Sequence, residues 1–360
     1  MTSARRILIL AEGRFSPLKS KTANAALLYL PEQVAAVVDS TKAGQTAHQV
    51  LGYGGDIPVV RSITDGLALH PTHLLVGIAP PGGVLPESWR TDLRFALEHG
   101  LHVLSGLHTI LSDDPEFAAL AARHGTTITD YRKIPPASEV IPKGSWKTRS
   151  AKVILTVGTD SNIGKMTVAL ELQRELIRRG LRADFIATGQ TGMLLRGRGI
   201  AVDSIISDYI SGCIEKEIDQ SVAEGFEYIF VEGQGALTQM AYSGVTLGLI
   251  HGSMPDALIL CHQPSRTVDN YGYPLIGLTD AIRLHTEVVR HFKSTVVAGI
   301  GLNSVGLTDT ELAEAIRRIE SETGLPAADV LRSGVRKLAD ALLRSLQISS
   351  PSPRILIESN

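Results

Sequence analysis

Residues 157–167, VGTDSNIGKMT, set a glycine–lysine pair between an apolar run, KVILTV, and an amphipathic stretch, IGKMTVALELQRELIRRG. A glycine-rich turn from a strand into a helix aims backbone N–H groups and the helix dipole at one point, which suits a phosphate. Gly158, Thr159, Asp160, Ser161, Asn162, Ile163, Gly164, Lys165, Met166 and Thr167 are therefore the candidate phosphate-binding residues. Lys165 supplies a point charge and Thr167 a hydroxyl near the helix start. Loops that hydrolyse nucleotide follow the lysine with Ser or Thr, whose hydroxyl holds Mg²⁺. Here Met166 follows, and a thioether does not ligate a hard cation. Thr167 is one residue late, roughly 100° further around a regular helix. Asp160, Asp208 and Glu232 are the remaining oxygen donors that a metal would need. Those donors leave Mg²⁺ open, and the simplest expectation is a loop that binds phosphate without needing to cleave it. Coenzyme A fits, since it carries a pyrophosphate and a ribose phosphate while its chemistry happens at a distant sulphur.

Further candidates follow other apolar runs. In YIFVEGQGAL, Glu232 ends a run and precedes Gly233 and Gly235. In open parallel sheets the C-terminal edge is where ligands bind. Glu232 reads as a general base, a ligand of a metal-bound water, or a helix-capping anion. LCHQPSRTVDNYG puts His262 and Arg266 at the end of another run, and histidine is the side chain best poised for proton transfer near neutrality. ATGQTGMLLRGRG offers Gln190, Thr191, Arg196 and Arg198 to grip carboxylate or phosphate oxygens, against the plainer reading of a surface loop with solvated arginines. Asn303, in GIGLNS, either reads an adenine or closes a turn.

The elements that must position these residues follow one cadence. RILIL, VAAVV, IPVV, HLLVGI, HVL and TTITD alternate with helix-like stretches such as LPESWRTDLRFALEHG, which Gly100 closes. Strand-length apolar runs alternating with helical pattern imply parallel strands joined by crossover helices. Residues 133–150, KIPPASEVIPKGSWKTRS, show neither period and read as a linker. A second series runs through KVILTV, ADFIAT, YIFVEG, ALILCH and TVVAGIGLN, and fades near residue 346. In the helix after the phosphate loop, Arg178 and Arg179 suit the negative dipole end and Gly180 caps it. The expected architecture is α/β, with two parallel-sheet domains. A Rossmann-like domain over 1–132 precedes the linker, a P-loop NTPase-like domain over 151–347 and a tail over 348–360, where RILIE suits a last edge strand.

Composition narrows the function. The 360 residues are 44% hydrophobic and 20% charged, enough for two ordinary cores. A net charge of −2 without a basic run points away from nucleic acid and anionic membranes. Two cysteines, Cys213 and Cys261, make neither a disulfide framework nor a zinc cluster. The opening MTSARRILILAEGRF is cut at Glu12, too soon for a signal peptide, and no stretch is long enough to span a bilayer. A cytoplasmic location is expected. LAEGRFSPLKSKTA, after the first run, lacks G-x-G-x-x-G, so a nicotinamide cofactor finds little support. Lys42 in VVDSTKAGQ, and the turn GIAPPGGVLP at 77–86, offer an anion handle and close backbone approach, or are plain turns. His99, His102 and His108 do not match helical metal-ligand spacing.

Two resemblances follow from these motifs. The second half is similar to the dethiobiotin synthetase class of P-loop proteins through GTDSNIGK and FVEGQGAL. Both halves together resemble a bacterial and archaeal family of formerly unknown function through VVDSTKAGQ, GIAPPGG, GTDSNIGKMT, VEGQGAL and CHQPSR. That resemblance implies D-glutamate N-acetyltransferase activity, with acetyl-CoA as co-substrate and N-acetyl-D-glutamate passed to a racemase in D-glutamate catabolism. The first half is also similar in layout to the coenzyme-A-binding domain of succinyl-CoA ligases, an analogy of fold. The synthetase class has Thr where this chain has Met166, which weighs against ATP-dependent ligation. On the acyltransferase reading His262 or Glu232 is the base, Arg196, Arg198 and Arg266 meet the acceptor's carboxylates, and Gln190 and Thr191 assist. The partners are then small molecules, with a homo-oligomeric assembly in which TDAIRLHTEVVRHF packs against a second subunit. The alternatives are a ligase or small-molecule kinase using ATP and Mg²⁺, and a nucleotide-sensing protein without catalysis.

Overall fold

The apolar runs of the first half become six strands in a computed structural model, which describes residues 5–78, 85–135 and 138–348. In chain order they are β1 (Ile7–Leu10), α1 (Lys21–Tyr29), β2 (Val34–Val38), α2 (Ala47–Leu51), β3 (Val59–Val60), α3 (Ile63–Leu67), β4 (His73–Val76), α4 (Glu87–Glu98), β5 (His102–Ser105), α5 (Pro115–His124) and β6 (Ile128–Asp130). The sheet order is β3-β2-β1-β4-β5-β6, and every pairing is parallel. Each residue of β1 and β2 is buried, as strands of a parallel sheet covered on both faces require. The helices pack by one stripe. In α4, Trp89, Leu93, Ala96 and Leu97 are the buried positions, spaced i, i+4, i+7, i+8.

The second half continues with β7 (Lys152–Gly158), α6 (Lys165–Arg178), β8 (Ala183–Ile186), α7 (Gln190–Arg196), α8 (Ile210–Ala223), β9 (Tyr228–Val231), α9 (Ser243–Ser253), β10 (Ala257–His262), α10 (Leu278–Arg290), β11 (Val296–Leu302), α11 (Asp309–Thr323), β12 (Ala327–Ala328) and α12 (Arg336–Ile348). Its sheet order is β12-β11-β10-β7-β9-β8, again parallel throughout. The two-residue β12 had no sequence signal, because two alanines do not make a strand-length apolar run. This order puts β7 inside the sheet, with β9 on one side and β10 on the other, so the chain builds first to one side of it and then, after β9, to the other. Such a switch point opens a crevice at the carboxyl ends of the strands. Among the described residues no helix is long and apolar enough to cross a membrane.

Two compact units result. One comprises the described residues up to 135 together with 190–204, and the other comprises 138–189 and 205–348. The segment read from sequence as a glycine- and arginine-rich loop is thus partly the helix α7, and it belongs to the first unit. Leu194 is fully buried in that unit's apolar core, and the Thr191 hydroxyl lies 2.9 Å from that of Thr22. Asp203 takes a 2.6 Å bond from the Arg132 guanidinium. Seven residues are too few to display a helical period, which is why the pattern was not legible. The linker region is tied down within the second unit, where Glu215 of α8 accepts the N–H of Ser145 at 2.7 Å. Residues 79–84 of the GIAPPGGVLP turn, and the tail from 349 with its RILIE run, lie outside the described residues.

Candidate phosphate-loop site

The second unit gathers its candidates at the C-terminal edge of one sheet. β7 ends at Gly158, the loop runs to Gly164, and α6 starts at Lys165. Gly164 has φ +98°, a left-handed geometry that a side chain would strain and that turns the chain into the helix. Asn162 is the exposed residue at φ +55°, of a type that tolerates this region. Ile163 and Met166 are both buried apolar side chains, so the residue after Lys165 adds a thioether to the core and no oxygen to the loop. Lys165 is 5% exposed, and its ammonium donates to the Asp160 carbonyl at 2.7 Å. From the next strand, Gly233 donates its N–H to Thr156 Oγ1 at 3.0 Å. A Cβ there would stand 1.7 Å from the Thr156 carbonyl oxygen and 3.0 Å from Lys165 Cδ, so only glycine lets the β9 turn lie against the loop.

Asp160 organises the loop from inside. It is fully buried, and Oδ2 accepts from Arg266 Nη1 at 2.7 Å. Oδ1 accepts from the Ser161 N–H at 2.7 Å and from Gln239 Nε2 at 2.8 Å. Arg266 also donates to the Ser161 carbonyl at 2.9 Å. The Ser161 hydroxyl accepts from Gln239 Nε2 at 3.0 Å and from Asn270 Nδ2 at 3.1 Å. Arg266, expected to meet a substrate carboxylate, places Nη1 on a carboxylate of the protein itself.

Glu232 and His262 flank the loop from β9 and β10. Glu232 is 2% exposed, and its Oε2 accepts the N–H groups of Thr188 at 3.0 Å and Gly189 at 3.3 Å. Its Oε1 accepts from Gln234 Nε2 at 3.3 Å. The carboxylate thus caps the end of β8. His262 Nδ1 lies 3.0 Å from the Thr159 hydroxyl, and the His262 carbonyl accepts the Asn303 N–H at 2.9 Å. Burial, helped by the nearby Arg318 charge, lowers the imidazole to about 4, so it is neutral at physiological pH. Cys261 is fully buried, and burial pushes its thiol up to about 12, so it is not the reactive thiolate a nucleophile would need. Asn303 accepts the Val305 N–H at 3.1 Å through Oδ1, which closes a turn.

The donors do not fit a magnesium ion. Met166 is a buried thioether, both Asp160 oxygens accept from cationic or N–H donors, and both Glu232 oxygens from N–H donors. Asp208 is exposed on the Ser207–Tyr209 turn. Among the described residues no group of three His, Cys, Asp or Glu side chains comes together as a metal site. The cradle does fit a phosphate, since a 14-residue helix presents its N-terminus behind a left-handed glycine with Lys165 beside it.

The structure thus brings together residues 158–167, Glu232, His262 and Arg266 on one sheet edge. Gln190, Thr191, Arg196 and Arg198 lie in the segment that belongs to the first unit. In that unit Glu12 accepts the Ser40 N–H at 2.8 Å, and Asp39 accepts the N–H groups of Phe15 at 2.9 Å and Thr41 at 3.0 Å. These carboxylates stitch the β1 and β2 turns together beside Lys42. Gln239 and Asn270 were missed from sequence, because their bonds to Ser161 span 78 and 109 residues and no local pattern marks them.

Two family models match the chain. One, described as a domain of unknown function, DUF1611, C-terminal P-loop domain, covers residues 140–339. The other, the N-terminal Rossmann-like domain of the same family, covers 40–134. A protein named D-glutamate N-acetyltransferase from Tritonibacter scottomollicae is 39% identical over 75% of this chain and 80% of its own length. One of the same name from a Pseudoalteromonas species is 36% identical over 76% and 82%. The crystal structure of a DUF1611 family protein from Anabaena variabilis superposes with a TM-score of 0.90 at 36% identity, covering 94% of this chain and 99% of that one.

Proposed function

The chain belongs to the DUF1611 family, and from that premise we propose that it is a D-glutamate N-acetyltransferase drawing its acetyl group from acetyl-CoA. The observation that carries the activity is the pair of relatives bearing that name at 39% and 36% identity across both domains. The choice of donor rests on the phosphate loop, which has a lysine and a helix N-terminus for anions but lacks an open oxygen ligand for Mg²⁺. A coenzyme A ester needs the former and not the latter. That same point weighs against the ligase and kinase alternatives.

Acetyl-CoA supplies a thioester carbonyl when bound. Gly158–Thr167 hold its phosphates, with Lys165 as the fixed cation. The acceptor amine attacks only as the free base, so a proton must leave nitrogen. The acceptor enters as the free amine, and His262, neutral and on the edge of the loop, takes the nitrogen's proton on its imidazole as the C–N bond forms and makes that proton acidic. One C–N bond forms, one C–S bond breaks, and the departing sulphur leaves as the thiol with a proton returned from the imidazolium. Thr159 bonds the ring at Nδ1 and fixes its orientation. Glu232 accepts backbone N–H groups and positions the β8 end rather than moving protons.

Free-thiol release from acetyl-CoA, measured on the full chain with a chelator and no nucleotide, tests the reading with D-glutamate, L-glutamate and no acceptor. Release with D-glutamate alone is expected. A folded sample that releases thiol with none of the three refutes it.

A further inference from the structure

The loop raises a physical problem that the activity alone does not answer. Phosphate esters carry concentrated negative charge, and phosphate loops that work on nucleotides neutralise part of it with Mg²⁺. Here Asp160 sits inside the loop as a fully buried carboxylate, which adds negative charge where an anion must bind. A buried carboxylate without a counter-charge is costly and repels a phosphate. In this chain the counter-charge is a side chain. Arg266 places Nη1 2.7 Å from Asp160 Oδ2 and 2.9 Å from the Ser161 carbonyl oxygen, bonding a carboxylate and a backbone carbonyl of the kind a divalent ion would ligate. Gln239 completes the shell at Oδ1. Arg266 is partly exposed, at 22% of its side-chain surface, while Asp160 beneath it is fully buried.

We propose that Arg266 is the resident cation of the phosphate loop. Its guanidinium takes the place beside Asp160 that a divalent metal would occupy, and the loop holds its phosphates without Mg²⁺. Arg266 is then a positioning residue that acts through Asp160 and Ser161. This inference rests on the acyl-donor reading only for the choice of coenzyme A as one probe. The cation exchange itself is independent of it.

Two measurements on the full chain test it. The first is Mn²⁺ binding followed by electron paramagnetic resonance, with no organic ligand. Wild type is expected to hold no Mn²⁺ that Asp160→Asn abolishes. Arg266→Ala is expected to gain a bound Mn²⁺, and Arg266→Ala with Asp160→Asn to lose it again. Arg266→Lys keeps the charge and is expected to behave as wild type, which guards against a misfolded alanine variant. A wild-type Mn²⁺ signal that depends on Asp160, or an Arg266→Ala protein that gains none, overturns the proposal.

The second measurement is coenzyme A affinity by calorimetry, in chelator and in Mg²⁺. Wild type is expected to bind equally in both. Arg266→Ala is expected to bind about tenfold or more weakly in chelator, the effect of losing bonds between charged groups, and to regain part of that affinity with Mg²⁺. Wild-type binding that tightens about tenfold with Mg²⁺ overturns the proposal, as does an Arg266→Ala protein indistinguishable from wild type in chelator. If no variant and no wild-type sample binds coenzyme A, the donor reading falls, and the Mn²⁺ result still decides the role of Arg266.

Discussion

Glu232→Gln separates two roles for one carboxylate. In the structure both Glu232 oxygens accept bonds, with Oε2 serving the Thr188 and Gly189 amides and Oε1 serving Gln234 Nε2. Glutamine keeps the shape but has one acceptor oxygen. If that oxygen stays on the two backbone amides, the new NH₂ faces the NH₂ of Gln234, donor against donor. Each amide bond also loses its charge assistance, a difference of about 1 kcal/mol per bond. Relief from burying a charge offsets part of this, which leaves a local cost of about 1–2 kcal/mol. Hydrogen exchange at the Thr188 and Gly189 amides reads that cost directly, as protection lower by about 5–30-fold. As an anchor, Glu232 affects kcat only through that loosening, by less than about tenfold. A general base removed by the same substitution costs about 10²–10⁴ in rate. A fall in kcat above about a hundredfold, with unchanged exchange at 188 and 189, refutes the anchor and makes Glu232 the base.

Other substitutions probe the remaining assignments. Lys165→Ala removes the fixed cation and is expected to raise KM for acetyl-CoA by about tenfold or more with a smaller change in kcat; an unchanged KM in a folded variant refutes the phosphate assignment. Protonation of the acceptor amine sets one acid limb of kcat/KM, which every variant keeps; His262 is held neutral down to about 4, so a second fall is expected near there rather than near 6.5, and His262→Gln is expected to abolish that second fall. Its folded value lies below its unfolded one, so the unfolded chain takes up the proton first. Stability is therefore expected to fall as pH drops from about 6.5 towards 4, and the buried His285, lowered by the same desolvation, adds to the loss. Denaturant midpoints across that window measure it. Leu194→Ala empties a fully buried position in the first unit and is expected to cost about 2–5 kcal/mol there by denaturant unfolding. A negligible cost indicates that α7 is not part of that core.

The strands were legible in the sequence because a parallel strand is buried along its length, so RILIL, VAAVV, KVILTV and ALILCH declare themselves without any knowledge of their neighbours. The phosphate loop was legible for a similar reason. Its glycines, its lysine and the helix that follows are contiguous, and their geometry is set by local backbone rules. The absence of a hydroxyl after Lys165 could likewise be read directly, and so could the placing of His262 and Glu232 at strand ends. What the linear order could not contain is which carboxylate is already spoken for. Asp160 meets Arg266 across 106 residues and Gln239 across 79. Those pairings exist only because β7, β9 and β10 lie side by side, an order fixed by packing rather than by succession. The same holds for α7, whose seven residues carry no period of their own and take their structure from the core they enter. Sequence by itself placed a glycine–lysine loop between a strand and a helix at the edge of a parallel sheet. Only the tertiary structure set Arg266 against Asp160, because opposite charges 106 residues apart meet closely only where folding brings their strands side by side.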